Sequence, residues 1–166
     1  MQICQIAGYK NTGKTTLMNQ LIHYFSAQNL KVASLKHHGH GGEPDKVRGS
    51  DSSKHLESGS LMSGVQGEEQ TQLTLQMPFE LETLVNLYEK FPLDLLLIEG
   101  YKKAHYRKIV LIKNEAEVSL LREISNIIAI GTWDMKWLEN QEYPVFDMNH
   151  LHKDISALAD YIRRDF

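Results

Sequence analysis

The sequence predicts a three-layer α/β domain, with helices on both faces of a mainly parallel sheet. Three observations carry that prediction. Short apolar runs alternate with helical patterns along nearly the whole chain. One run, at 95–98, is apolar without a break, as in a strand buried on both faces of a parallel sheet. A turn rich in Gly, Lys and Thr joins the first run directly to an amphipathic helix.

Taken in order, residues 3–7 are a short β-type run. After the turn, Leu17, Met18, Leu21, Ile22 and Phe25 recur at the spacing of one helix face. Residues 32–35 form a second strand. From about residue 37 to 60 the chain turns to Gly, His, Ser and charge, which reads as a loop, or as a loop plus a short helix at 50–57. Two strands at 61–65 and 72–77 flank a Gly/Glu-rich turn. Leu81, Leu84, Val85, Tyr88 and Phe91 make a helical stripe that Pro92 stops. Strands follow at 95–98, 109–112 and 127–130, with a short last one at 145–146. The acidic stretch 115–123 reads as a solvated helix face. Leu151, Ile155, Leu158, Ala159 and Ile162 mark the closing helix. With no internal repeat and no linker, residues 1–166 are expected to form a single domain.

Composition narrows the class. The 166 residues suit one domain, and 42% hydrophobic with 23% charged residues is the balance of an ordinary globule. Eighteen Lys+Arg against 21 Asp+Glu leave a net charge of −3 and a pI near 6.2, which argues against a nucleic-acid partner. The single cysteine, Cys4, excludes an internal disulfide and fits a reducing compartment. It reads as a small buried thiol in the first strand. No apolar run approaches the roughly 18 residues of a membrane span, and no secretory pattern opens the chain. A cytoplasmic protein without a membrane partner is expected.

The strongest chemical signal is Gly8-Tyr9-Lys10-Asn11-Thr12-Gly13-Lys14-Thr15, a full G-x-x-x-x-G-K-[ST] P-loop. Its glycines let the backbone fold so that successive N–H groups face phosphate oxygens, and the helix that follows adds its positive dipole end. Gly8, Asn11, Thr12, Gly13, Lys14, Thr15 and Thr16 are therefore the predicted nucleotide-binding residues. Lys14 brings a mobile charge to the β/γ-phosphates, and the Thr15 hydroxyl is a Mg²⁺ ligand.

A P-loop also needs a carboxylate at the end of a neighbouring strand. Glu99 ends the buried run at 95–98, with Gly100 behind it to let backbone approach the phosphates. Asp is usual here; the longer Glu reaches the ion through water or orients the attacking water. Lys14 and Glu99 are the catalytic candidates, and Thr15, Asp51 and Glu99 the metal set. Asp51 has a rival reading as the cap of the helix at 50–57. His37, His38 and His40 lie close enough to suggest a transition metal, although their spacing matches no structural zinc frame.

Base selection is expected after a late strand, in Gly131-Thr132-Trp133-Asp134. A carboxylate accepts from guanine N1 and N2, donors that adenine does not present. Asp134 is then the guanine reader, and the rival reading is an ordinary helix N-cap. Trp133 either stacks on the base or fills core space. The element resembles the [NT]-K-x-D of GTPases, without its lysine and one residue shorter.

Together these residues resemble a known family, the small P-loop GTPases of molybdenum-cofactor maturation called molybdopterin-guanine dinucleotide biosynthesis protein B (MobB). The resemblance rests on residues 8–16, on Lys36-His37-His38, and on Asp45 with Gly49-Ser50-Asp51-Ser52 and His55-x-x-Ser58-Gly59. Its last element is Ile98-Glu99-Gly100-Tyr101-Lys102. It implies the P-loop NTPase fold, with GTP and Mg²⁺ as cofactors and weak GTP hydrolysis. It further implies a homodimer and an adapter role beside the molybdopterin guanylyltransferase, with molybdopterin itself as a further candidate ligand. Two other classes compete. One is a small-molecule kinase with Lys102, Lys103, Arg107 and Lys108 as a basic lid. The other is a metal-insertion GTPase using His37, His38 and His40.

Overall fold

A computed structural model describes residues 1–39, 43–44, 49–138 and 141–164. In chain order the elements are β1 (Gln2–Gly8), α1 (Lys14–Ser26), β2 (Val32–Lys36), α2 (Asp51–Glu57), β3 (Met62–Gln66), β4 (Thr71–Leu75) and α3 (Leu81–Tyr88). Then follow β5 (Leu95–Glu99), β6 (Lys108–Ile112), α4 (Leu120–Glu123), β7 (Ile127–Thr132), β8 (Val145–Asp147) and α5 (Leu151–Arg163). Single 3-10 turns lie at Glu115–Ser119, Met135–Leu138 and Met148–His150. The residues fall into two compact units, Met1–Gly39 with Tyr88–Phe166, and His40–Leu87.

The first unit is built on six parallel strands in the order β2-β5-β1-β6-β7-β8. Side chains alternate across a strand, so each central strand must supply two apolar faces. Ile109 and Leu111 of β6 join Cys4, Ile6, Leu95 and Leu97 in the larger core, with Leu17, Leu21 and Phe25 of α1 and Leu158, Ala159 and Ile162 of α5. Val110 and Ile112 go to the opposite face with Leu120, Ile127, Ile130 and Leu138. Each buried Val, Leu, Ile or Phe among them contributes about 1.5–3 kcal/mol relative to exposure. From β1 the chain crosses by α1 to β2 on one side, and after β5 it passes to β6 on the other. The switch point therefore falls beside β1, and open parallel sheets bind ligands at such a point, outside the strands' carboxyl ends.

The second unit holds α2, the antiparallel β3–β4 hairpin and most of α3. Met62 faces Leu75 and Gly64 faces Leu73 in the hairpin, so Met62, Leu73 and Leu75 share one face, and all three are exposed. Leu56, Leu81 and Val85 are buried.

Two local expectations are corrected. The stripe expected to reach Phe91 ends at Tyr88, and Phe91 is exposed. Phe91 precedes Pro92, whose ring disfavours helical backbone at the residue before it, so the helix stops early. The cap of α2 is Ser50, whose hydroxyl accepts from the Ser53 N–H at 3.3 Å, while Asp51 sits in the first turn. The 115–123 stretch becomes a 3-10 turn running into one turn of α-helix, with Leu120 buried.

Candidate phosphate-binding site

β1 delivers Gly8 to the carboxyl edge of the sheet, and the chain turns through residues 9–13 into α1. Gly13 caps the helix at φ 97, ψ 13, left-handed backbone that disfavours a side chain. A Cβ there would also lie 2.9 Å from Cζ2 of Trp133. The loop is laced from within. The Thr12 hydroxyl donates to the Tyr9 carbonyl at 3.0 Å, and Lys14 Nζ donates to the same carbonyl at 2.5 Å. Trp133 Nε1 donates to the Thr12 carbonyl at 2.9 Å. Partial burial pulls the Lys14 pKa down; Glu99 opposes this, while the ammonium groups of Lys102 and Lys36 add to it.

Glu99 is the last residue of β5 and is only 6% exposed. The Thr15 hydroxyl donates to its two oxygens at 3.3 and 3.4 Å. Lys36 Nζ stands 3.3 Å from Oε1. That ion pair is set by strand register, since Lys36 and Glu99 are partners across β2 and β5. A hydroxyl beside an anionic carboxylate at a helix start is a hard-oxygen donor set of the kind Mg²⁺ takes. Among the described residues, no three His, Cys, Asp or Glu side chains gather in metal-binding range.

The loop after β5 is held from below. Gln5, wholly buried in β1, donates through Nε2 to the carbonyls of Gly100 and Tyr101, both at 2.5 Å. Tyr101 has left-handed backbone (φ 48), and its ring stacks on His37 with centroids 4.4 Å apart. At Gly100 an added Cβ would lie 2.9 Å from the Cβ of His37. Lys102 Nζ lies 4.1 Å above the Tyr9 ring. The basic lid is corrected in part. Lys108 is buried and donates to the carbonyls of Ala104 and Ser125 at 2.6 and 2.9 Å, and Arg107 donates to the Tyr161 carbonyl at 3.0 Å. A buried ammonium committed to two carbonyls is part of the fold, and burial lowers its pKa.

Beyond β7, Asp134 accepts the Lys136 N–H on Oδ1 at 3.2 Å and pairs with Lys136 Nζ through Oδ2 at 2.9 Å. The lysine missing before this aspartate is thus met by one after it, and its hydrogen bond depresses the Asp134 pKa. Asn149 Nδ2 donates to the Trp133 carbonyl at 2.9 Å and to Asp147 Oδ1 at 2.8 Å. The structure therefore brings the P-loop, Lys36, Glu99 and Trp133-Asp134 to one edge of the sheet. Asp51 belongs to the second unit, where it pairs with Lys54 at 2.9 Å. His38 is exposed; His40 and Asp45 lie outside the described residues.

Sequence reasoning did not single out Gln5, the Lys36–Glu99 pair or the anchoring bond of Trp133. Gln5 carried a signal, as one polar residue inside an apolar strand.

A parallel sheet with this loop between its central strand and the following helix, and a carboxylate facing the loop's threonine, defines the P-loop NTPase fold. Residues 3–133 match the family model for molybdopterin guanine dinucleotide synthesis protein B, and the chain belongs to that family. A Bacillus subtilis protein described as a probable molybdopterin-guanine dinucleotide biosynthesis adapter protein is 34% identical, over 96% of this chain and 90% of its own. The Escherichia coli molybdopterin-guanine dinucleotide biosynthesis adapter protein is 30% identical, over 94% and 88%. The crystal structure of a MobB homolog from Bacillus stearothermophilus superposes with a TM-score of 0.80 at 30% identity, covering 99% of each chain. That of Bacillus subtilis MobB gives 0.80 at 34% identity, covering 96% and 97%.

Proposed function

We propose that this chain is a GTP-binding adapter in molybdopterin guanine dinucleotide biosynthesis, with slow Mg²⁺-dependent GTP hydrolysis. The observation that carries the reading is the Thr15 hydroxyl set against buried Glu99 at the mouth of the phosphate loop. Loop N–H groups and Lys14 hold the phosphates. Thr15 and Glu99 would hold Mg²⁺; the ion supplies charge neutralisation at the transferring phosphoryl group. Asp134 reads guanine.

The name of the Escherichia coli relative supports the adapter role, and a guanylyltransferase that acts on molybdopterin is the proposed partner. The exposed apolar face of Met62, Leu73 and Leu75 supports a homodimer, because a two-stranded hairpin is marginal without cover. No described helix is long and apolar enough to cross a membrane.

Titration with a fluorescent GTP analogue tests the reading. Wild type should bind it, and Lys14→Ala should lose tight triphosphate binding with an unchanged circular dichroism spectrum. Unchanged affinity in the variant would remove the phosphate-loop assignment.

A further inference from the structure

We propose that Lys36 binds the γ-phosphate of a nucleoside triphosphate, exchanging Glu99 for it; this rests on the nucleotide-binding reading above. The register of β2 and β5 sets Lys36 opposite Glu99 at the carboxyl edge of the sheet, so its position does not depend on loop conformation. Its ammonium lies 3.3 Å from a carboxylate whose oxygens also accept from Thr15. The Lys36 side chain is 60% exposed and Glu99's only 8%, so the lysine is the partner free to swing away.

Two further cations line the phosphate loop, Lys14 and Lys102. Lys14 donates to the Tyr9 carbonyl, and Lys102 rests on the Tyr9 ring. With Lys36, whose charge also acts on Lys14, they make three ammonium groups at the loop, a positive excess that suits a polyanion. A terminal phosphate carries more charge than Glu99 and outcompetes it for Lys36. In the same exchange the Glu99 carboxylate is freed for the Mg²⁺ shell.

Only a triphosphate offers the group that Lys36 would hold. Fluorescent GTP and GDP analogues are titrated into wild type, Lys36→Gln and Lys36→Arg, in EDTA and again with Mg²⁺. In EDTA, Lys36→Gln should bind GTP about tenfold more weakly, as expected for loss of one charge-assisted bond, with GDP affinity within about twofold. Lys36→Arg should keep most of the preference for GTP. Equal losses for GTP and GDP, or no loss for either, would overturn the proposal while leaving nucleotide binding in place. A wild type that binds neither nucleotide would overturn both readings.

Discussion

The indole nitrogen of Trp133 donates to the carbonyl of Thr12 at 2.9 Å, tying the end of β7 to the phosphate loop. The same ring closes over Gly13, and Asn149 holds the Trp133 carbonyl from the far side. The segment expected to read the base therefore also shapes the loop expected to hold the phosphates.

Trp133→Phe keeps an aromatic cover on Gly13 and removes the bond to Thr12. A neutral hydrogen bond is worth about 1 kcal/mol net, so the affinity for a fluorescent GTP analogue should fall about fivefold. Wild-type affinity would mean that the loop holds its form without this tie.

Glu99→Gln should slow Mg²⁺-dependent GTP hydrolysis at least tenfold, on the order expected when a metal-shell carboxylate is neutralised. Nucleotide affinity in EDTA should change little, because loop N–H groups and lysines hold the phosphates. Phosphate release under single-turnover conditions measures this. A wild-type rate in the variant would place Glu99 outside the metal shell.

Base preference should depend on Asp134. ATP should compete poorly against a fluorescent guanine nucleotide in wild type, and better in Asp134→Ala. Both carboxylate oxygens are engaged by Lys136, so guanine must share or displace that lysine. Adenine would leave the acceptor without its second partner. Equal competition by ATP and GTP in wild type would end the guanine assignment. Selectivity surviving in the variant would move base recognition to another residue.

Burial pushes the Cys4 thiol up to about 12 from 9.0. The folded chain then holds this proton where the unfolded chain has lost it. The stability it contributes is present below pH 9.0 and is lost as pH rises toward about 12. Melting temperature should fall over that alkaline range, and Cys4→Ala should flatten the fall. Parallel curves for the two proteins would assign the alkaline loss to other groups. A thiol reagent at neutral pH should label Cys4 only after unfolding, since 1% of it is exposed.

The sequence by itself determined the alternation of elements, the phosphate loop and the carboxylate at the end of β5. Those signals are local: four apolar residues before Glu99, a glycine–lysine turn, and apolar positions recurring at helical spacing. It also carried the family, through short motifs contiguous in the chain. Tertiary structure decided what each side chain meets. Lys36 and Glu99 are 63 positions apart in the chain and become partners only when β2 takes its place beside β5. The close approach of His37 to Gly100 is likewise settled by strand order, since the chain leaving β2 arrives beside the end of β5. Lys108 looked like part of a basic lid, yet at the start of β6 it is buried and donates to two carbonyls. Strand order and register are long-range properties, set by which apolar faces pack together, and no local pattern of residues encodes them.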